Sequence, residues 1–429
     1  MIFNRNFAKY ISKMFEYILT VISLTVLTIF AYIKLKYPFW NIQPVYHSYD
    51  YWRMFYKTPF TIYKYRPVKT KFTDLAHVHT YPFDDLSADH LADIVNLLQC
   101  YYIPTDRIIH TIQSADLTSV LTGQIHISFV SIYNDIHYEY NKNVIIDGSA
   151  NIIIKQKPIG CITSRSLRFL YRAGSIPNTY TEESVYYMDY LCVDREHNQL
   201  NLNRKLLQTH EYNQCLHNKN VSVSLIRKEG DLFEGIVPLV QFKTHTFHID
   251  NIKFPKLPAK HHVRSVDIEN LDIMMDYFQS DPTTDPKTEF FDLLFFPDIG
   301  NITAQLKQGI LTGYYLMIEG EVLAFYFFKN TKMTYDDIEG NTSHLMASVM
   351  NCYSVNLFHV GFLHALRRQM QIQSNLRILL IDEIGHNVNL MSVWRYKNTP
   401  LLTTDTGYYL FNMIYPGSPL LRERCLVIT

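Results

Sequence analysis

Tyr186-Tyr187-Met188-Asp189-Tyr190-Leu191-Cys192-Val193-Asp194 is a strand-forming run that stops in a polar turn, residues 195 to 201. Helix-forming sequence follows at once, from Leu202 to Leu216. A strand, a turn rich in backbone donors and a helix N-terminus make a site for an anion or a polarised carbonyl. That combination points to an α/β fold with a group-binding site at the strand end, and the rest of the chain is read outward from it.

Before it, Ser87 predicts a helix cap, with Leu91, Ile94, Val95 and Leu98 at helical spacing behind it. Ile125–Ile132, Asn151–Lys155 and Ile159–Ser164 read as strands, with Lys157-Pro158 as a hairpin turn between the last two. After it come a strand at Val221–Ile226 and a linker at Phe254–Lys260. The order then resembles the first half: a helix over Ile268–Phe278, strands at Gly313–Ile318 and Val322–Asn330, a long helix from Ser354 to Met370, and strands at Arg377–Asp382 and Gly407–Met413. Two similar α/β halves are expected, divided as residues 37–253 and 254–429, behind an N-terminal segment 1–36.

That segment holds Tyr17–Ile33, which carries no charged residue, with Arg5, Lys9 and Lys13 before it and Lys34 and Lys36 after it. Its length sits at the lower limit for a membrane span, about 17–25 residues, and no small-residue cleavage site is evident. A membrane anchor is expected, with an apolar amphipathic or buried helix as the alternative.

Composition narrows the function. Lys+Arg and Asp+Glu are both 40 in 429 residues, so a nucleic-acid partner lacks the basic surface it would need. The cysteines at 100, 161, 192, 215, 352 and 425 form no CxxC pair, which argues against a disulfide framework or a zinc site. His77 and His79 alternate on a strand-like segment, and His245, His248, His261 and His262 cluster loosely, but none has metal-ligand spacing. No metal is expected. Hydrolase, nucleotide and dinucleotide motifs are missing.

Five segments, in order, resemble the protein N-myristoyltransferase family. Tyr37-Pro38-Phe39-Trp40-Asn41-Ile42-Gln43-Pro44-Val45 is similar to the arm Y-K-F-W-x-T-Q-P-V. Leu97-Leu98-Gln99-Cys100-Tyr101-Tyr102-Ile103 resembles the peptide-groove segment L-L-N-E-N-Y-V. Lys157–Ile162 resembles K-L-V-G-F-I, and Tyr190-Leu191-Cys192-Val193 resembles F-L-C-V. Tyr408-Tyr409-Leu410-Phe411-Asn412 is similar to Y-Y-L-Y-N, ahead of an apolar end, Leu426-Val427-Ile428-Thr429.

The resemblance implies a fold of two acetyltransferase-like halves in pseudo-twofold relation. It implies a myristoyl group passed from myristoyl-CoA, a co-substrate with no further cofactor, to an N-terminal glycine amine of a peptide or protein. Thr429 would supply its terminal carboxylate as base, and the backbone at Tyr190 and Leu191 the oxyanion donors. Acyl-CoA would lie against Tyr37, Phe39, Trp40, Cys192, Val193, Arg195, Asn201, Arg204 and Lys205, and the peptide against Tyr102, Asp106, Tyr408 and Leu426. The body would be a cytosolic monomer, since acyl-CoA is cytosolic. One departure concerns charge: where the family's turn reads K-K-L-R-S-K-R, this chain has Arg195-Glu196-His197-Asn198-Gln199-Leu200-Asn201. A non-catalytic binding protein of this fold, or an acyltransferase with another donor or acceptor, stays open beside the first reading.

Overall fold

A computed structural model describes residues 2–64, 67–103, 105, 107–146, 149–172, 180–197, 199–250, 252–279, 291–338 and 340–429. The run that opens the sequence argument is a strand, Tyr180–Val193, followed by a helix, Gln199–His217, and a strand, Ser224–Glu229, that lies parallel to it. Two strands precede it, Phe129–Ile146 and Ser149–Arg172, and all three are antiparallel neighbours. The second half repeats the plan. Leu311–Ile318, Glu321–Tyr335 and Gly340–Met350 are antiparallel, and the helix Val355–Ile372 crosses to Leu376–Asp382, parallel to the third strand. This is the expected two-halved α/β fold, joined in a single large sheet.

The join is an exchange of strands. Val240–His248 follows the first half but pairs with Leu376–Asp382 of the second. Leu402–Phe411 follows the second half but pairs with Ser224–Glu229 of the first, and these two exchanged strands also pair with each other. Cys425–Val427 returns further still. It runs parallel to Leu293–Phe296, which pairs antiparallel with the long strand Ser149–Arg172 along its Arg168–Tyr171 end.

The expected hairpin at Lys157-Pro158 is not one. Both residues lie inside the single strand Ser149–Arg172, opposite Asp135 and Asn134. Proline cannot donate to a ladder, and strands tolerate it at irregular positions; the register slips between Tyr133 and Asn134, where Pro158 sits. The segment Tyr37–Tyr65, whose lack of periodicity reads as an extended arm, is partly wound, with 3-10 turns at Trp40–Ile42 and Tyr51–Phe55. The helix over Ile268–Phe278 starts as a 3-10 turn, Ile268–Asn270, capped by Asp267. The strand expected at Ile125–Ile132 starts only at Phe129, and that expected at Val221–Ile226 only at Ser224; the helix starts at Ser87 and Ser354 are as expected. Ser87 accepts the N–H of His90 and caps Ala88–Tyr101, and Ser354 does the same for Leu357.

The N-terminal helix is longer than the apolar run that announced it, Ile2–Lys36. Within its part from Lys13 to Lys36, an 18-residue window has a mean hydropathy of 2.1 and is not buried against the rest of the chain. The hydroxyls of Thr20, Thr25 and Thr28 donate back to carbonyls four residues earlier, so their polarity is satisfied within the helix.

Burial of charge sets an acid limit on the fold. Burial pushes His210 down to about 3, and His359 and His386 to about 4. Below about 6.5 the unfolded chain binds protons that these folded histidines refuse, so stability falls with pH. Glu211 acts oppositely: burial raises it to about 7, so between about 4.5 and 7 the folded state keeps a proton the unfolded chain has released. Below about 4.5 that compensation ends. Asp74 then adds to the loss: burial would raise it, but hydrogen bonds from Lys205 and His77 take it down to about 2. Thermal unfolding across pH 7 to 3 is expected to show its steepest loss below about pH 4.5; equal stability at pH 5.5 and 3.5 would contradict this.

Candidate functional site

The strand Tyr180–Val193 is interrupted at Tyr190 and Leu191, where the family resemblance implies oxyanion donors. Cys161 faces Cys192 and Thr163 faces Asp189, so Ile162 is opposed by two residues, Tyr190 and Leu191. This is a β-bulge, which re-aims the backbone groups it releases from the ladder. Tyr190 takes φ 53°, in the left-handed region rarely entered by a residue with a large side chain. Its ring is buried and packs on Tyr102 at 5.4 Å, which helps hold the strained turn.

The bulge is not empty of partners. The Tyr190 N–H donates to Oδ1 of its neighbour Asp189 at 2.8 Å. The same oxygen accepts the Tyr102 hydroxyl at 3.3 Å, and Asp189 Oδ2 lies 3.8 Å from Nζ of Lys329, on the strand Glu321–Tyr335. Burial lowers Lys329 to about 8, with Asp189 pulling the other way. Cys192, another of the expected acyl-CoA contacts, holds its sulfur 3.5 Å from that of Cys161. Val193 packs in a core cluster with Phe39, Leu202 and Leu206.

After the strand, the turn folds around its own carboxylate. Asp194 is buried and accepts the N–H of Glu196 at 3.0 Å, with Lys157 and His197 each 3.9 Å away. Asn201 lies exposed in the first turn of the helix behind it. The basic residues expected here turn elsewhere. Arg195 donates to the carbonyl of Ile103 at 2.8 Å, and Arg204 lies over the Phe39 ring at 5.9 Å. Lys205 is paired with Asp74 at 2.8 Å. Asp106 lies outside the described residues.

The arm crosses this helix. Phe39 is buried against Trp40 and Phe72, and Trp40 packs on Phe233 at 4.7 Å. Tyr37 stacks on Tyr49 at 5.9 Å. Ile42, Gln43 and Pro44 close a cavity of about 60 Å³ with Gln208, Glu211 and Phe411. Both amide atoms of Gln43 are buried there without a hydrogen-bond partner.

The chain end is buried too. Thr429 is 5% exposed, and its hydroxyl meets the sulfur of Met346 at 3.9 Å. The Ile428 N–H donates to Phe295, and Leu426 and Ile428 pack with Phe296, Phe325 and Phe327. Cys425 is level with Leu293, which faces Tyr171, and Val427 with Phe295, which faces Phe169. Each step toward Thr429 therefore leads along the long strand in the direction of Thr163 and the bulge.

A second ionic group, unannounced by any motif, sits at the strand exchange. Arg227 grips Asp382 through two hydrogen bonds of 2.5 and 3.0 Å. Asp382 also accepts the Thr244 hydroxyl at 2.7 Å and has His344 Nε2 at 3.0 Å. Arg227 further donates to the hydroxyl of Tyr408 at 3.1 Å. Tyr408 is thus placed in this buried network, while Tyr102 belongs to the bulge. Beside it Glu383 collects His245 at 3.2 Å and Arg422 at 3.0 Å. Residues 189, 227, 329 and 382 lie on four different strands and meet only in the folded chain, so no sequence spacing could signal them. Among the described residues, no group of His, Cys, Asp and Glu is arranged to hold a metal ion.

No protein-family model matches the chain, and no curated protein matches it by sequence. Among solved structures, Saccharomyces cerevisiae N-myristoyltransferase with bound myristoyl-CoA matches at TM-score 0.62 and 13% identity, over 90% of each chain. A further structure of that yeast enzyme with bound myristoyl-CoA gives 0.59 and 14%, over 91% of this chain and 99% of that one. A third, with inhibitors as well, gives 0.61 and 14%, over 90% and 93%. At such identity the likeness concerns the fold: this chain is folded as an N-myristoyltransferase is folded, along nearly its whole length.

Proposed function

We propose that this protein is an acyl-CoA-dependent acyltransferase that passes a myristoyl group to the N-terminal glycine amine of a peptide or protein. The observation that carries the reading is the bulge at Tyr190–Leu191, ahead of a helix, in a chain whose fold is similar to that of N-myristoyltransferase over 90% of its length. A thioester carbonyl seated there would place its oxygen on backbone donors, which stabilise charge that develops in the tetrahedral intermediate. For that, Asp189 must release the Tyr190 N–H it now accepts. The attacking amine must first lose a proton, and the carboxylate of Thr429 is the base. Tyr37, Phe39 and Trp40 would cover the donor.

A second reading has its own support. Asp194 brings a negative charge to the turn, and Lys205 is already answered by Asp74. Both oppose a CoA pyrophosphate at the helix start. They favour a protein of this fold that binds an acyl chain without transferring it, or one that uses another donor or acceptor.

The exposed apolar helix Lys13–Lys36 is read as a membrane anchor, with the body, as a monomer, on the cytosolic side where acyl-CoA is found. Its 24 residues span about 36 Å, enough for a hydrocarbon core of about 30 Å. Asn-x-Ser/Thr triplets, the pattern that accepts N-linked sugar, begin at Asn220, Asn301 and Asn341; Asn301 is fully buried with its amide on three carbonyls, whereas Asn220 is exposed. Sugar on Asn220 would place the body in the lumen and overturn this orientation.

The test is transfer of labelled myristate from myristoyl-CoA to a Gly-initiated peptide by the full chain in detergent. Product with a Gly-initiated peptide and none with its acetylated form is expected. Retained myristoyl-CoA binding without product would favour the second reading.

A further inference from the structure

We propose that the body does not hang free from its anchor: the turn Tyr51–Phe55 inserts its aromatic side chains into the interface of the same bilayer, giving a second point of contact. This rests on reading the N-terminal helix as a membrane span.

The helix leaves the bilayer into a rigid seat. The Tyr37 N–H continues the helix to Ile33, and the Asn41 side chain donates back to Tyr37 at 2.6 Å and Lys34 at 3.4 Å. Lys36 reaches Glu234 at 3.7 Å. The Tyr37 ring lies so close over Gly235, whose φ is +84°, that a Cβ there would come within 2.7 Å of it. Gly235 in turn accepts the Ser48 N–H. Tyr37 stacks on Tyr49, Tyr49 stacks on His47 at 4.9 Å, and His47 bonds the Trp40 carbonyl at 2.8 Å. Helix exit, arm and the 47–50 turn are one packed unit.

The aromatic turn grows directly from that unit. Asp50 accepts the Trp52 N–H at 2.9 Å with one oxygen and the Tyr56 hydroxyl at 2.8 Å with the other. Two residues of chain, at most about 7 Å, separate Tyr49 from Tyr51. The interfacial layer on each side of the hydrocarbon is of that same depth, roughly 5–8 Å. Yet Tyr51, Trp52 and Phe55 are 72%, 69% and 64% exposed, and Trp52 and Phe55 touch each other at 5.8 Å. Tyr and Trp are the residues that favour this layer, with an apolar ring and a polar tip. An exposed aromatic group fixed next to the point where an apolar helix enters the body is matched in chemistry by the bilayer surface itself.

The full chain, reconstituted in phosphatidylcholine vesicles brominated on the upper acyl chain, tests this by fluorescence. The chain has three tryptophans, of which Trp394 is buried and Trp40 is packed in the arm. Emission is expected to be lower in brominated than in plain vesicles, and most of that loss should vanish in Trp52→Phe. Co-flotation with vesicles but equal Trp52 emission in both would overturn the second contact and leave the anchor standing. Failure to co-float would remove the anchor, and this inference with it. Tyr51→Ser/Phe55→Ser should still co-float while reducing the Trp52 loss; an unchanged loss would show that the turn is drawn in by the helix alone.

Discussion

Adding one alanine after Thr429 is expected to lower acyl transfer by roughly 10²–10⁴-fold, the usual contribution of a positioned general base. The extension moves the carboxylate one residue away and puts an amide, which cannot accept a proton near neutral pH, in its former place. Because the end is buried, a control for folding is essential. The strand Cys425–Val427 and the Ile428 bond to Phe295 precede the change and should persist. Myristoyl-CoA affinity, which would depend on the arm and bulge, should stay within a few-fold of the parent. Full activity of the extended chain would exclude the terminal carboxylate as base and turn attention to the groups already at the bulge, Asp189 and Lys329.

Asp382→Ala is expected to cost about 3–5 kcal/mol of stability, the range for removing one partner of a buried pair. Arg227 would keep its charge among Tyr408, Phe242 and Thr244, with only the half-exposed carboxylate of Glu229, at 2.7 Å, left to answer it. Burial alone would raise Asp382; Arg227 and His344 more than offset this and hold it well below the ordinary carboxylate range. Its contribution is therefore complete at neutral pH and lost only in strong acid. Urea unfolding at pH 7 measures the cost. The double change Arg227→Met/Asp382→Leu should recover most of it, since an apolar pair of similar volume removes the stranded charge. If Asp382→Ala shifted the midpoint no more than a surface change would, the pair would have no structural weight.

What could be read from the chain was local. Ser87 and Ser354 announced their helices because caps act within three residues, and the run at Tyr186–Val193 announced a strand because it is apolar and aromatic at every position but Asp189. The bulge itself was not legible: it depends on the partner strand being one residue short opposite Tyr190 and Leu191. Leu293–Phe296 and Cys425–Val427 were missed because runs of four and three residues fall below what periodicity can resolve. Lys157-Pro158 was misread because a proline punctuates most chains, but here a strand of 24 residues absorbs it at a bulge. The ionic network at Arg227 and Asp382 had no sequence signal, since the two residues are 155 apart.

The exchange of strands has a consequence for synthesis. Arg227 waits for Tyr408, 181 residues later, before its edge of the sheet is covered. At ordinary translation rates that is roughly 10–40 s. Throughout that interval the nascent first half presents an open strand edge, Ser224–Glu229, of the kind that pairs with the wrong chain. Production of this protein should therefore be limited by protection of that edge on the ribosome.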